Sequence, residues 1–232
     1  MAIKEYSAKI VSIVEQSPSV RLFELELEED FQFKAGQFLN LAFEHEGIKY
    51  MKPYSIASVP EGSNRVELSI KLVPEGRATP HLWKKQVGDE FFVRGPFGLF
   101  TIRNEKEKLV FIGTGTGVAP LRSMIIDLIR NKAIAKEILL IFGVRYENEI
   151  LFEEEFEKLQ NENPNFKFVK IVSRPSENWP LRKGHVQENF DMVDIMNSEF
   201  YICGLPDMYE GAKKKLLEMG ADEKVIYHEV FR

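Results

Sequence analysis

Three glycines close one apolar run in this chain. In LVFIGTGTGVAPL, Gly113, Gly115 and Gly117 alternate with Thr114 and Thr116, and Pro120 opens a helical pattern. Glycine lets the backbone come close to an anion. A helix start offers N–H groups and the positive end of a dipole. Together these residue types describe a pyrophosphate site. The spacing departs from the strict G-x-G-x-x-G fingerprint because the third glycine comes one residue early, and no acidic residue stands out about twenty positions on. A plain strand-to-helix turn has no need of three glycines interleaved with two threonines.

A second stretch, KPYSIAS (Lys52 to Ser58), puts a cation, a tyrosine and two hydroxyls into one short run. In an extended strand Tyr54, Ile56 and Ser58 share one face, and Ser55 and Ala57 share the other. A tyrosine ring is a platform for a flat aromatic ligand. Lys52 is a point charge for phosphate, and Ser55 has a hydroxyl to offer a ring nitrogen. Alone, the stretch reads as one more strand with a buried tyrosine. Beside the glycine turn it reads as a surface for a flat, phosphorylated cofactor.

The elements that position these residues fall into two groups. AKIVSIVEQ and VRLFELELEED are β-rich and separated by the turn SPS; GQFLNLAFE, RVELSIKLV and GDEFFVRGPFG follow. In RVELSIKLV the apolar residues Val66, Leu68, Ile70 and Leu72 alternate with Glu67, Ser69 and Lys71. Short strands punctuated by Gly and Pro predict a closed antiparallel barrel, with a sandwich as the competing arrangement. TPHLWKKQ predicts one short helix. After Thr101 the character changes. LVFIG and ILLIF are continuous apolar runs, the mark of strands buried on both faces. Leu121, Met124, Ile125 and Leu128 fall at helical spacing, as do Phe152, Phe156 and Leu159. FKFVKIV, EFYICG and KVIYHEVF supply more strands, and PDMYEGAKKKLLEMG a helix with Pro206 near its start and Gly220 at its stop. Strand–helix alternation predicts a doubly wound parallel sheet. The expected fold is thus β plus α/β: an antiparallel barrel over 1–103, then a nucleotide-binding α/β domain over 104–232, joined near Asn104.

In the order and spacing of its motifs the chain resembles the ferredoxin–NADP reductase superfamily over nearly its whole length. KPYS resembles the family's R-x-Y-S flavin strand, PEGRATPHLW its second flavin motif and GPFG the turn ending the barrel. GTGTGVAP resembles its NAD(P)-pyrophosphate loop, FGVRYENEILFEEEF the segment after the second α/β strand, YICGLPDM the C-G-x-P-x-M turn and HEVF the terminal strand. The resemblance implies that FAD contacts Lys52, Pro53, Tyr54 and Ser55, then Ile70, Lys71 and Leu72, with Gly76, Ala78 and Thr79 at its pyrophosphate. Tyr54 would stack on the flavin, and Ser55 would lie near N5, the hydride acceptor. Gly113, Thr114, Gly115, Thr116, Gly117 and Pro120 would hold the pyridine nucleotide. Cys203 and Gly204 would lie near the nicotinamide. Glu229 would place the nicotinamide or relay a proton, and Phe231 would cover the flavin. Ser55, Cys203 and Glu229 are therefore the expected catalytic residues. Lys52 stands where the family usually has arginine; it keeps the charge and loses the bidentate fork, which leaves FMN as an alternative cofactor.

The hydride donor is NADPH or NADH. A 2′-phosphate calls for cations. Arg145 follows the second α/β strand and Ser173–Arg174 the third, positions that touch the phosphate in NADPH-using relatives. Arg182, Lys183 and His185 follow in what reads as a loop. The expected activity is hydride transfer from NAD(P)H to bound FAD, with electrons passed to an acceptor such as ferredoxin or flavodoxin. The alternatives are an NADH-linked reductase of free flavin, a cytochrome or an oxygenase component, and an electron-transfer subunit of a larger complex.

Composition sets the bounds. The chain has 232 residues, 44% of them hydrophobic, enough for a core without metal or disulfide staples. Its single cysteine, Cys203, excludes an intrachain disulfide and a four-cysteine iron–sulfur cluster, and four scattered histidines give no metal site. A net charge of −5 lacks the basic field of a nucleic-acid partner. Without an apolar signal core or a membrane-length apolar run, the expectation is a cytoplasmic chain with no membrane insertion.

Overall fold

A computed structural model of the chain describes residues 3–45, 47–103, 106–131 and 136–231. The predicted join at Asn104 lies outside the described residues. The chain divides into two compact units: Met1–Ile102 with Arg122–Asp127, and Arg103–Leu121 with Leu128–Arg232.

The first unit is built on six antiparallel strands: β1 (Lys4–Ser17), β2 (Val20–Leu27), β3 (Phe38–His45), β4 (Ile48–Ser55), β5 (Arg65–Lys71) and β6 (Glu90–Phe97). Their order in the sheet is β4-β3-β6-β1-β2-β5. Period-two patterning turns one face of each strand inward. In β2, Phe23, Leu25 and Leu27 are buried, and in β5 Val66, Leu68 and Ile70. Each such side chain contributes about 1.5–3 kcal/mol through burial. The two edge strands meet: Ile56, just past β4, bridges Leu68 of β5. That bridge closes the sheet on itself, which favours the barrel over the sandwich. Helix α1 (Ala78–Trp83) packs Leu82 into the barrel core.

The predicted alternation in KPYSIAS fails past Tyr54. Ser55, Ile56 and Ala57 are all buried, because β4 ends at Ser55 and the next residues sink into the closure instead of continuing a two-faced strand.

The second unit carries six parallel strands: β7 (Lys108–Thr114), β8 (Glu137–Val144), β9 (Phe166–Val172), β10 (Arg182–Lys183), β11 (Ser198–Gly204) and β12 (Ile226–Val230). Their order is β10-β9-β8-β7-β11-β12. The chain steps outward from β7 to β10, then returns to the other side of β7, so β7 and β11 flank the topological switch point. Continuous apolar runs fit their places: every residue of β11 is buried. Helix α2 (Val118–Ile126) follows β7 and passes into the first unit from Arg122 on, and helices α3 (Glu153–Glu162) and α4 (Pro206–Glu218) connect later strands. Pro120 sits in the first turn of α2 but does not open it; the helix starts at Val118, after a single 3-10 turn over Gly115–Gly117. Arg182 and Lys183 are not in a loop. They pair with Ile171 and Val172 of β9, and Arg182 is held by Asp191 at 2.6 Å.

Candidate functional site

The second-unit residues singled out from sequence gather at one edge of the parallel sheet. β7 ends at Thr114 and runs into the glycine turn; β8 ends at Val144, before Arg145; β9 ends at Val172, before Ser173 and Arg174. β11 ends in Cys203 and Gly204, and β12 ends one residue after Glu229, before Phe231. In open α/β sheets ligands bind outside the carboxyl ends of the strands, at the switch point.

The glycines of the turn have different reasons. Gly115 has φ +52°, and a Cβ there would meet nothing within 4 Å; it is needed for backbone conformation and leaves an open face on the turn. Gly117 is needed for contact, because a Cβ would lie 2.3 Å from the Cys203 carbonyl oxygen. Gly113 and Cys203 are direct register partners, so the turn lies against the end of β11. An open glycine face at the start of α2, the positive end of its dipole, fits a pyrophosphate.

Cys203 is fully buried, and burial pushes its thiol well above its ordinary value, with the Glu229 charge adding to the effect. Cys203 and Glu229 are register partners in β11 and β12. The Phe231 N–H donates to the Gly204 carbonyl at 2.9 Å, which ties the chain past β12 back to this edge.

The loops after β8 and β9 are joined to each other. The Arg174 N–H donates to the Arg145 carbonyl at 2.9 Å, and the Ser173 N–H to the Val144 carbonyl at 3.0 Å. Glu149 accepts from the Arg145 and Tyr146 N–H groups at 3.1 and 3.2 Å. Glu147 accepts from the Ser176 hydroxyl and N–H, which hold its carboxyl below the usual range. Both arginine side chains stay exposed. Sequence reasoning missed Tyr146, 44% exposed beside them, whose hydroxyl accepts from Arg174 Nη1 at 3.5 Å. The signal was an aromatic directly after a cation at a strand end.

In the first unit Lys52 and Pro53 are exposed, Tyr54 is half-buried and Ser55 is buried at the end of β4. Burial pushes the Tyr54 phenol up to about 12, so it stays neutral, with its ring packed on the barrel core. Ile70 is buried while Lys71 is exposed. Thr79 folds the loop ahead of α1: its hydroxyl accepts from Val73 N–H at 2.9 Å and donates to the Val73 carbonyl at 3.1 Å. Gly76 N–H donates to the same carbonyl, and a Cβ at Gly76 would lie 3.0 Å from it. Ala78 is the first residue of α1. A neutral ring, a strand-end hydroxyl, an exposed ammonium and a tight glycine loop at a helix start suit a flavin nucleotide. Among the described residues no group of three His, Cys, Asp or Glu side chains could hold a metal ion.

Residues 7–102 match an oxidoreductase FAD-binding domain, and residues 111–214 an oxidoreductase NAD-binding domain. The chain belongs to the ferredoxin–NADP reductase superfamily. It is 31% identical over 237 residues to the reductase component DmpP of phenol 2-monooxygenase from Pseudomonas sp. (strain CF600), covering 99% of this chain and 66% of that protein. It is 30% identical over 238 residues to the phenol hydroxylase P5 protein of Acinetobacter pittii (strain PHEA-2), again covering 99% of this chain and 66% of that protein. The chain thus spans about two thirds of the length of these curated relatives. Among solved structures, the Amycolatopsis cytochrome reductase GcoB matches with a TM-score of 0.90 and 27% identity, over 99% of this chain and 70% of that one. A ferredoxin NADP+ reductase from Neisseria gonorrhoeae with bound FAD and NADP has the same fold, with a TM-score of 0.86 at 24% identity and 98% coverage of both chains.

Proposed function

We propose that the chain is a flavin-dependent NAD(P)H reductase, which takes a hydride from NAD(P)H and passes electrons to a redox protein such as ferredoxin or flavodoxin. The observation that carries this reading is the convergence of Gly115, Gly117, Arg145, Arg174, Cys203 and Glu229 at the carboxyl edge of a doubly wound sheet. It occurs in a chain whose other unit matches a FAD-binding domain. When bound, FAD supplies the redox chemistry, accepting a hydride and releasing electrons onward.

The chain's own residues bind and orient. Tyr54 provides a neutral ring surface, and Ser55 offers a hydroxyl at the reacting edge of the flavin. Lys52, with the loop closed by Thr79, neutralises and holds the flavin phosphates. The Gly115–Gly117 turn holds the pyridine-nucleotide pyrophosphate. Arg145, Ser173 and Arg174 receive a 2′-phosphate, so NADPH is the favoured donor. The Cys203 thiol stays protonated and serves as a small neutral wall, while Glu229 orients the nicotinamide amide. Phe231, tied to Gly204 past β12, adds an aromatic ring at the same strand ends.

A second reading is the reductase component of an oxygenase; the 31% identity to a phenol monooxygenase's reductase component favours it. The two readings share the chemistry and differ in the acceptor. Purified chain loaded with FAD should be yellow and should oxidise NADPH with ferricyanide. Colourless protein after FAD loading would end the proposal. Turnover with ferredoxin or flavodoxin, compared with an oxygenase component, separates the two acceptors.

A further inference from the structure

Ala57 and Ser58, two and three residues past Ser55, are held by a set of polar contacts within the first unit. Arg122 Nη1 donates to the Ala57 carbonyl at 2.7 Å and to Glu67 Oε2 at 2.6 Å. The Ala57 N–H donates back to the Glu67 carbonyl at 2.8 Å. The Glu67 N–H donates to Ser58 Oγ at 3.1 Å, and Ser123 Oγ donates to the Ser58 carbonyl at 2.6 Å. Ala57 is fully buried, and the Arg122 side chain is 10% exposed.

Regular pairing stops at the Ile56–Leu68 bridge. The Ala57 carbonyl lies beyond that bridge, where a buried carbonyl still needs a donor. A guanidinium supplies it, and a buried guanidinium needs a carboxylate, which Glu67 supplies. Ala57 is thus fixed at both its N–H and its C=O, and Ser58 at its hydroxyl and its C=O, two and three positions past the hydroxyl at Ser55. This exceeds what chain reversal requires at the closure of a barrel.

We infer that Arg122, paired with Glu67, is a positioning residue for the flavin: it locks the segment after β4 and so sets where the Ser55 hydroxyl meets the flavin's reacting edge. The inference rests on the flavin reading given above. Arg122 does not touch the cofactor; it acts through the Ala57 carbonyl. Both of these contacts come from one nitrogen, so a lysine ammonium reaching the same point would keep them.

The test uses the full chain loaded with FAD, comparing Arg122→Met, Arg122→Lys and Glu67→Gln with the unaltered protein. The readouts are the visible absorption and circular dichroism of bound FAD, and stopped-flow flavin reduction at saturating NADPH. In Arg122→Met the flavin bands shift and the reduction rate falls about tenfold, as expected when an aligned group drifts by a fraction of an ångström. Arg122→Lys returns both to near the unaltered values, and Glu67→Gln lies between. Should Arg122→Met fail to fold, the same two readouts on Glu67→Gln decide. A folded variant that loses thermal stability but keeps the unaltered flavin spectrum and reduction rate overturns the inference. So does failure of Arg122→Lys to restore either readout. Failure of the unaltered chain to take up FAD refutes the flavin reading itself and so is distinct from these results.

Discussion

Ser55 ends a strand and is buried, which fixes where its hydroxyl lies. A group in that position acts on the reaction more than on affinity. Ser55→Ala is expected to slow flavin reduction by about tenfold to a hundredfold, as removal of an aligned hydrogen-bonding group does, while the FAD dissociation constant changes less. Stopped-flow reduction set against FAD titration measures both; loss of flavin with normal chemistry contradicts the role. Tyr54 makes a different prediction, about pH. Its phenol titrates near 10.0 when unfolded and about 12 when folded, because burial disfavours the anion. Above pH 10 the folded chain keeps a proton that the unfolded chain has released. The stability this contributes is complete below pH 10 and is lost as pH rises through about 12. Denaturation midpoints of the FAD-free chain should fall more steeply over that window than those of Tyr54→Phe. Parallel slopes would contradict the assignment.

At the scale of elements, the glycine turn separates conformation from contact. Gly115→Ala meets open space and carries only the strain of a left-handed backbone, about 1–2 kcal/mol. Gly117→Ala drives a methyl against the Cys203 carbonyl, which is backbone and cannot swing aside. The expected result is a lower melting temperature and weaker NAD(P)H binding than in Gly115→Ala, measured by calorimetry; equal effects would remove the close-contact argument. The loop after β9 yields the donor test. Arg174→Ala should raise the KM for NADPH about tenfold, the effect of one charge-assisted phosphate contact, and leave the KM for NADH unchanged. Equal changes would remove the 2′-phosphate argument.

These elements also show what the sequence could and could not reveal. β5 was legible because a barrel strand faces core on one side and leaves a two-residue period. β7, β8 and β11 were legible because strands covered on both faces become unbroken apolar runs. β10 was not: two residues carry no period, and Arg182 and Lys183 look like loop charges. Nor was the Arg122 clamp, whose contacts join positions 65 and 55 residues apart in sequence. The departure from alternation after Tyr54 was hidden for the same reason: barrel closure is a tertiary event, and local spacing does not record it.

At the scale of the whole molecule, each unit has its own hydrophobic core, and each carries one nucleotide-binding surface in the proposed reading. The two binding functions are therefore separable by mutation. Lys52→Ala should weaken FAD uptake and leave NADP+ binding to the FAD-free chain unchanged, both read by calorimetry. A loss of both would tie the two surfaces into one site. No helix among the described residues is long and apolar enough to cross a membrane.

The closure of the first sheet through Ile56 and Leu68 has one more consequence. Where it is joined, the ribbon offers no rim on which a foreign strand can lie down. The second sheet is bordered by a two-residue strand on one side and a five-residue strand on the other. Borders that short are poor templates for lateral growth into fibrils.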